Sequence, residues 1–143
     1  MLFTDITILD KDLNTRENMY VGIEDDCIDY IGKVIPKKNY GEIYDGKNKL
    51  LMAGFYNGHG HSPMTLMRGY AENMVLQDWL NKRIFPFENK LDGDAVYWGT
   101  MLAMAESTRF GIVSTSDMYY FAPDMVKATV DSGLKNNISR SIV

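Results

Sequence analysis

The sequence predicts an α/β fold in two parts, an all-β segment over residues 1–49 and a parallel α/β part over residues 50–143. Three observations carry this. The first third holds short β-branched, alternating runs and no helical period. Leu50 to Tyr56 is a continuous apolar run without alternation, as in a strand buried on both faces of a parallel sheet. After it the order strand, helices, strand, helix, strand implies parallel pairing through right-handed crossovers.

Taken in order, Phe3 to Leu9 alternates as a strand, and Asp10-Lys11-Asp12-Leu13-Asn14 is a turn. Met19 to Glu24 and Cys27 to Ile31 form a hairpin across Asp25-Asp26. Gly32 to Lys49 is polar loop with one short strand at Glu42-Ile43-Tyr44. Beyond residue 60, Met74, Leu76, Trp79, Leu80 and Ile84 recur at helical spacing until Pro86, where the pattern is expected to stop. Asp92 is a suitable N-cap for a helix from Gly93 to Phe110, closed by Gly111. That helix carries apolar residues on most of its surface, so it is expected to pack on two neighbours, with Gly99 permitting one close approach. Ile112 to Asp117 is a strand, Pro123 opens a helix capped by Gly133, and Leu134 to Val143 alternates as a third strand.

Composition narrows the function classes. With 45% hydrophobic and 24% charged residues the chain can bury a core. A net charge of −4 without a Lys/Arg cluster argues against nucleic-acid binding. No run approaches 18 apolar residues, so no membrane span is expected. The single Cys27 has no disulfide partner, which suits a reducing, cytoplasmic setting. The ten methionines are dispersed and read as core filler.

Chemistry concentrates at Gly58-His59-Gly60-His61, which holds both histidines of the chain. On an extended strand, positions i and i+2 share a side, so the two imidazoles would converge on one point, a two-ligand start on a metal site. Glycine at 58 and 60 would let a substrate or a backbone approach between them. Spacing fits equally a glycine-rich turn with two incidental histidines. Ser62 reads as a turn hydroxyl, Trp79 as a packing residue, and Asp117 as a strand-end acid suited to catalysis or to structural hydrogen bonding.

Ala53-Gly54-Phe55-Tyr56-Asn57-Gly58-His59-Gly60-His61-Ser62-Pro63-Met64-Thr65-Leu66-Met67-Arg68-Gly69 resembles the metal-dependent amidohydrolase superfamily. The branch it looks most like is that of the 5′-methylthioadenosine/S-adenosylhomocysteine deaminases. The likeness continues through Asp78-Trp79-Leu80, Ile84-Phe85-Pro86-Phe87-Glu88, Tyr97-Trp98-Gly99-Thr100, Gly111-Ile112 and Asp117-Met118-Tyr119-Tyr120. Two positions depart from the usual pattern, Ala53 in place of a common proline and Gly60 between the histidines, and neither removes a ligand.

The resemblance implies a (β/α)₈ TIM-type barrel, here its N-terminal part with about three βα units, preceded by strands of a small β-sandwich. It implies that His59 and His61 are metal ligands, that Glu88 holds the ribose hydroxyls, and that Arg140 lines the substrate pocket. Each of the last two has a plain alternative, a solvated loop acid and a surface strand residue. The cofactor implied is a divalent metal, zinc first, with iron, nickel or cobalt also suited to histidine ligands. Such a metal lowers the pKa of a bound water that attacks C6 of the purine, and ammonia leaves as a proton reaches it.

A full barrel takes about 250 residues, whereas a βαβ repeat of roughly 30 residues yields about three strands here. Two histidines also fall short of the three protein ligands of a catalytic zinc. The expectation is therefore the N-terminal part of a longer hydrolytic purine-nucleoside deaminase, with the catalytic groups beyond Val143, the metal absent from this stretch by itself, and no activity in it. Expected partners are the nucleoside substrate and, through the open sheet edge, the rest of the polypeptide or a second copy. Guanine or cytosine deamination and triazine dechlorination are alternative reactions of the same superfamily. A naturally short, non-catalytic interaction or metal-sequestering module is the alternative from a different class.

Overall fold

A computed structural model describes residues 1–141. The chain divides into two compact units, Met1–Ala53 and Gly54–Val143.

The first unit is a five-stranded sheet. Strands β1 (Leu2–Leu9), β2 (Thr15–Glu24) and β3 (Cys27–Gly32) form an antiparallel meander. β4 (Ile43–Asp45) and β5 (Leu50–Leu51) both add to β1 in parallel. The β2–β3 hairpin pairs Glu24 with Cys27 across Asp25-Asp26, as expected, and Asp25 takes a positive φ of 53°, the left-handed geometry of a primed two-residue turn. Ile6, Ile8, Met19 and Val21 form its small core, with Phe3 and Leu51 packed against it. On the exposed side, Lys38 bridges Glu24 and Asp29, and Tyr40 donates to Asp29. The hydrogen bonds from Tyr40 and Lys38 hold the Asp29 carboxyl below the usual carboxylate range.

The second unit is a three-stranded parallel sheet, ordered β6 (Phe55–Gly60), β7 (Ile112–Tyr119), β8 (Lys135–Arg140). The Ile142-Val143 end of the expected third strand lies outside the described residues. Between β6 and β7 come a 3₁₀ segment (Ser62–Met67), then α1 (Leu76–Trp79), a π-helical turn (Leu80–Ile84), α2 (Phe85–Glu88) and the long α3 (Gly93–Arg109). α4 (Ala122–Ser132) joins β7 to β8. The end signals act as read: the Asp92 carboxylate accepts from the Ala95 N–H at 2.9 Å, and Gly111 and Gly133 both take φ of 73° at helix ends. Among the described residues no helix is long and apolar enough to cross a membrane.

Two expectations about this segment fail. The apolar run Leu50 to Tyr56 is two strands rather than one: Leu50–Leu51 pairs with β1 of the first sheet, whereas Phe55 begins the second. Nor is it buried on both faces, since Phe55 and Tyr56 are 57% and 78% exposed. Burial on both faces needs a layer packed on each side of the sheet, which a strand's own composition does not supply. Pro86 likewise does not stop the helix, which continues to Glu88. A proline lacks an N–H and crowds the carbonyl four residues back; the wider π turn immediately before α2 accommodates both, so the helix persists.

α3 packs against the 3₁₀ segment, α4 and β7 of its own unit and buries Val96, Gly99, Thr100 and Met104. A Cβ built on Gly99 would lie 2.8 Å from the Pro63 carbonyl oxygen and 3.1 Å from Pro63 Cα, so the close approach read from sequence is real. Thr65 Oγ1 adds a hydrogen bond to the Gly99 carbonyl at 2.8 Å. Gly99→Ala is expected to destabilise the chain by about 1–3 kcal/mol through overpacking against backbone, read as a lowered thermal midpoint by circular dichroism.

Candidate functional site

His59 ends β6 with Gly60, and His61 follows as the residue that leads into the 3₁₀ segment. Their rings converge as the alternation predicts: the centroids lie 4.8 Å apart at an interplanar angle of 87°. Gly58 is not needed for a close approach among the described residues, because a Cβ there would meet nothing within 4 Å. The His59 backbone N–H is tied to the Asn57 side-chain oxygen at 3.2 Å.

The second histidine is the more firmly held. His61 Nδ1 lies 2.8 Å from the Met118 carbonyl oxygen. A carbonyl can only accept, so Nδ1 carries the hydrogen, which leaves Nε2 as the nitrogen available to a metal. Fixing one ring nitrogen on a backbone carbonyl is how metal-binding imidazoles are commonly oriented. The donor set therefore fits a divalent cation. Among the described residues no third His, Cys, Asp or Glu gathers with the pair.

Asp117 is 3% exposed and lies beside them. Its carboxylate accepts from the Ser62 N–H at 3.1 Å, from the Met118 N–H at 2.9 Å, and from the Asn136 side-chain amide at 3.4 Å. Of the two roles open to it in sequence, these contacts describe the structural one: it ties the chain just after His61 to the end of β7. Ser62 takes part through its backbone, and Trp79 packs on the core of Met67, Ile84, Val96, Tyr119 and Met125.

Glu88 and Arg140, 52 positions apart, line one cavity of about 1130 Å³, together with Phe85, Tyr120, Phe121 and Asp124. Tyr119 connects this cavity to the histidines. Its phenol donates to Glu88 Oε1 at 2.7 Å, and its ring centroid is 6.4 Å from that of His61. Burial, followed by the hydrogen bond to Glu88, pushes the Tyr119 phenol well above its ordinary pKa, so it remains a donor at neutral pH. Sequence reading gave Tyr119 no role; the signals were its place in the family-like stretch Asp117-Met118-Tyr119-Tyr120 and two residues after Asp117 at a strand end, where alternation puts both on one side.

The second unit has successive parallel strands joined by helices, with a histidine pair at the C-terminal end of the first, the architecture of part of a (β/α)₈ hydrolase barrel. The amidohydrolase family matches residues 50–140, and the chain belongs to that family. It is 40% identical over 143 residues to the 5-methylthioadenosine/S-adenosylhomocysteine deaminase of Dictyoglomus thermophilum, covering 100% of this chain and 33% of that protein. It is 39% identical over 145 residues to the 5′-deoxyadenosine deaminase of Methanospirillum hungatei, covering 99% and 31%. Among solved structures, zinc-complexed atrazine chlorohydrolase TrzN of Arthrobacter aurescens superposes with a TM-score of 0.86 at 18% identity, covering 97% of this chain and 35% of that one. The chain thus spans about a third of the length of the relatives it matches.

Proposed function

We propose that this chain supplies two metal ligands and the ribose-binding part of a hydrolytic purine-nucleoside deaminase acting on 5′-methylthioadenosine and S-adenosylhomocysteine. The observation that carries the reading is the His59–His61 pair, with His61 oriented by the Met118 carbonyl, beside a cavity that holds Glu88 and Arg140. The relatives named as deaminases of such nucleosides supply the substrate class.

In this reading His59 and His61 hold a divalent metal, zinc in first place, whose chemistry when bound is to lower the pKa of water. Glu88 accepts hydrogen bonds from the ribose hydroxyls. Arg140 lines the cavity and suits a substituent of negative charge, as in the amino-acid part of S-adenosylhomocysteine. Apolar and aromatic lining at Phe85 and Phe121 excludes water from the rest of the nucleoside. In the same reading, the remaining ligands and the proton-transferring group belong to the part of the relatives' length that this chain does not span.

The test is ammonia release from 5′-methylthioadenosine and S-adenosylhomocysteine, measured on the natural full-length polypeptide with metal and on purified residues 1–143. Turnover by the full-length polypeptide and none by residues 1–143 is expected. Turnover by residues 1–143 would refute the shared-site reading, and none by the full-length polypeptide would refute the substrate assignment.

A further inference from the structure

Three consecutive residues at the end of β7 each hold a different part of the site. Asp117 takes the Ser62 N–H, the Met118 carbonyl takes His61 Nδ1, and Tyr119 donates to Glu88. Asp117 and Tyr119, at positions i and i+2, are 3% and 4% exposed, while Met118 between them faces the other way at 38%. A short, rigid piece of strand thus sets the spacing between the histidine pair and the Glu88 carboxylate.

A buried phenol needs a partner for its O–H. Tyr119 finds it in Glu88 Oε1, and the second Glu88 oxygen has no hydrogen-bond partner among the described residues although the side chain lines the large cavity. A carboxylate on a free side chain would sample several rotamers; one clamped through one oxygen presents the other in a fixed direction. The ring keeps its own position because it belongs to the buried core with Val96 and Met125.

We propose that Tyr119 is a positioning residue for ribose recognition: by clamping one oxygen of Glu88 it aims the other at the vicinal hydroxyls of the nucleoside. The inference rests on the ribose-binding reading of Glu88. It predicts that loss of the Tyr119 hydroxyl falls selectively on substrates carrying the hydroxyls, which a merely structural role would not produce.

The test compares kcat/KM for a purine ribonucleoside and its 2′,3′-dideoxy counterpart in the natural full-length polypeptide, in Tyr119→Phe, in Glu88→Gln and in the double variant. Tyr119→Phe keeps the ring in the core, and a melting curve for each variant verifies folding. Tyr119→Phe is expected to reduce the preference for the ribonucleoside about tenfold, the weight of one hydrogen bond to a charged group, chiefly through KM. Activity on the dideoxy substrate falls clearly less than activity on the ribonucleoside, and the double variant shows no further loss of preference beyond Glu88→Gln. Equal losses on both substrates in Tyr119→Phe, an unfolded variant, or a preference that survives Tyr119→Phe while Glu88→Gln abolishes it would overturn the positioning role alone. A preference that survives Glu88→Gln would overturn the ribose reading of Glu88 and, with it, this inference.

Discussion

On the proposed function, replacing His61 with alanine is expected to empty the metal site and abolish deamination. A residue that only orients a ligand changes metal affinity by about 10–100-fold, so loss of a ligand is expected to weaken binding by more than ~100-fold. His61 is also the histidine whose tautomer is set, through Nδ1 and the Met118 carbonyl, so the loss falls on an imidazole already aimed. Metal content by plasma mass spectrometry and ammonia release should fall together. Metal retained at wild-type stoichiometry in His61→Ala would remove the histidine pair from the site. His59→Ala is expected to behave alike, since the two rings meet within 4.8 Å.

The second large effect concerns the scaffold. Met125 on α4 is 0% exposed and sits in the core cluster with Val96, Ile84 and Tyr119. Met125→Ala is expected to destabilise the second unit by about 2–5 kcal/mol, from lost burial plus the cavity left behind. For a unit of this size each kcal/mol is worth about 4–8 °C, so the thermal midpoint should drop by roughly 10 °C or more in differential scanning calorimetry. A shift under ~3 °C would mean that the core around Tyr119 collapses freely to fill the space. Because Tyr119 lines that core and contacts Glu88, the same substitution should loosen the cavity wall before the histidines are affected.

Much of this was legible without coordinates. The helix ends at Asp92, Gly111 and Gly133 were readable because capping is governed by sterics and hydrogen bonds within a few residues. The convergence of His59 and His61 followed from the two-residue period of a strand. The parallel order of β6, β7 and β8 followed from the alternation of elements and the handedness of crossovers. The close contact at Gly99 was signalled by a glycine inside an otherwise apolar helix.

Other features depend on which segments become neighbours, which a linear pattern does not encode. An apolar run reads as doubly buried wherever it lies, yet Phe55 and Tyr56 are exposed, and Leu50–Leu51 left it for another sheet. Pro86 reads as a helix stop because its sterics are local, but the π turn before it removes the conflict. The pairing of His61 with Met118 spans 57 positions, and that of Tyr119 with Glu88 spans 31. By itself the sequence determined the parallel order of the second unit's strands, the helix ends at Asp92, Gly111 and Gly133, and the two histidines on one side, all consequences of backbone geometry over a few residues. Only the tertiary structure decided that the end of β7 grips both His61 and Glu88, because hydrogen bonds between distant residues exist only once the sheet has brought their strands together.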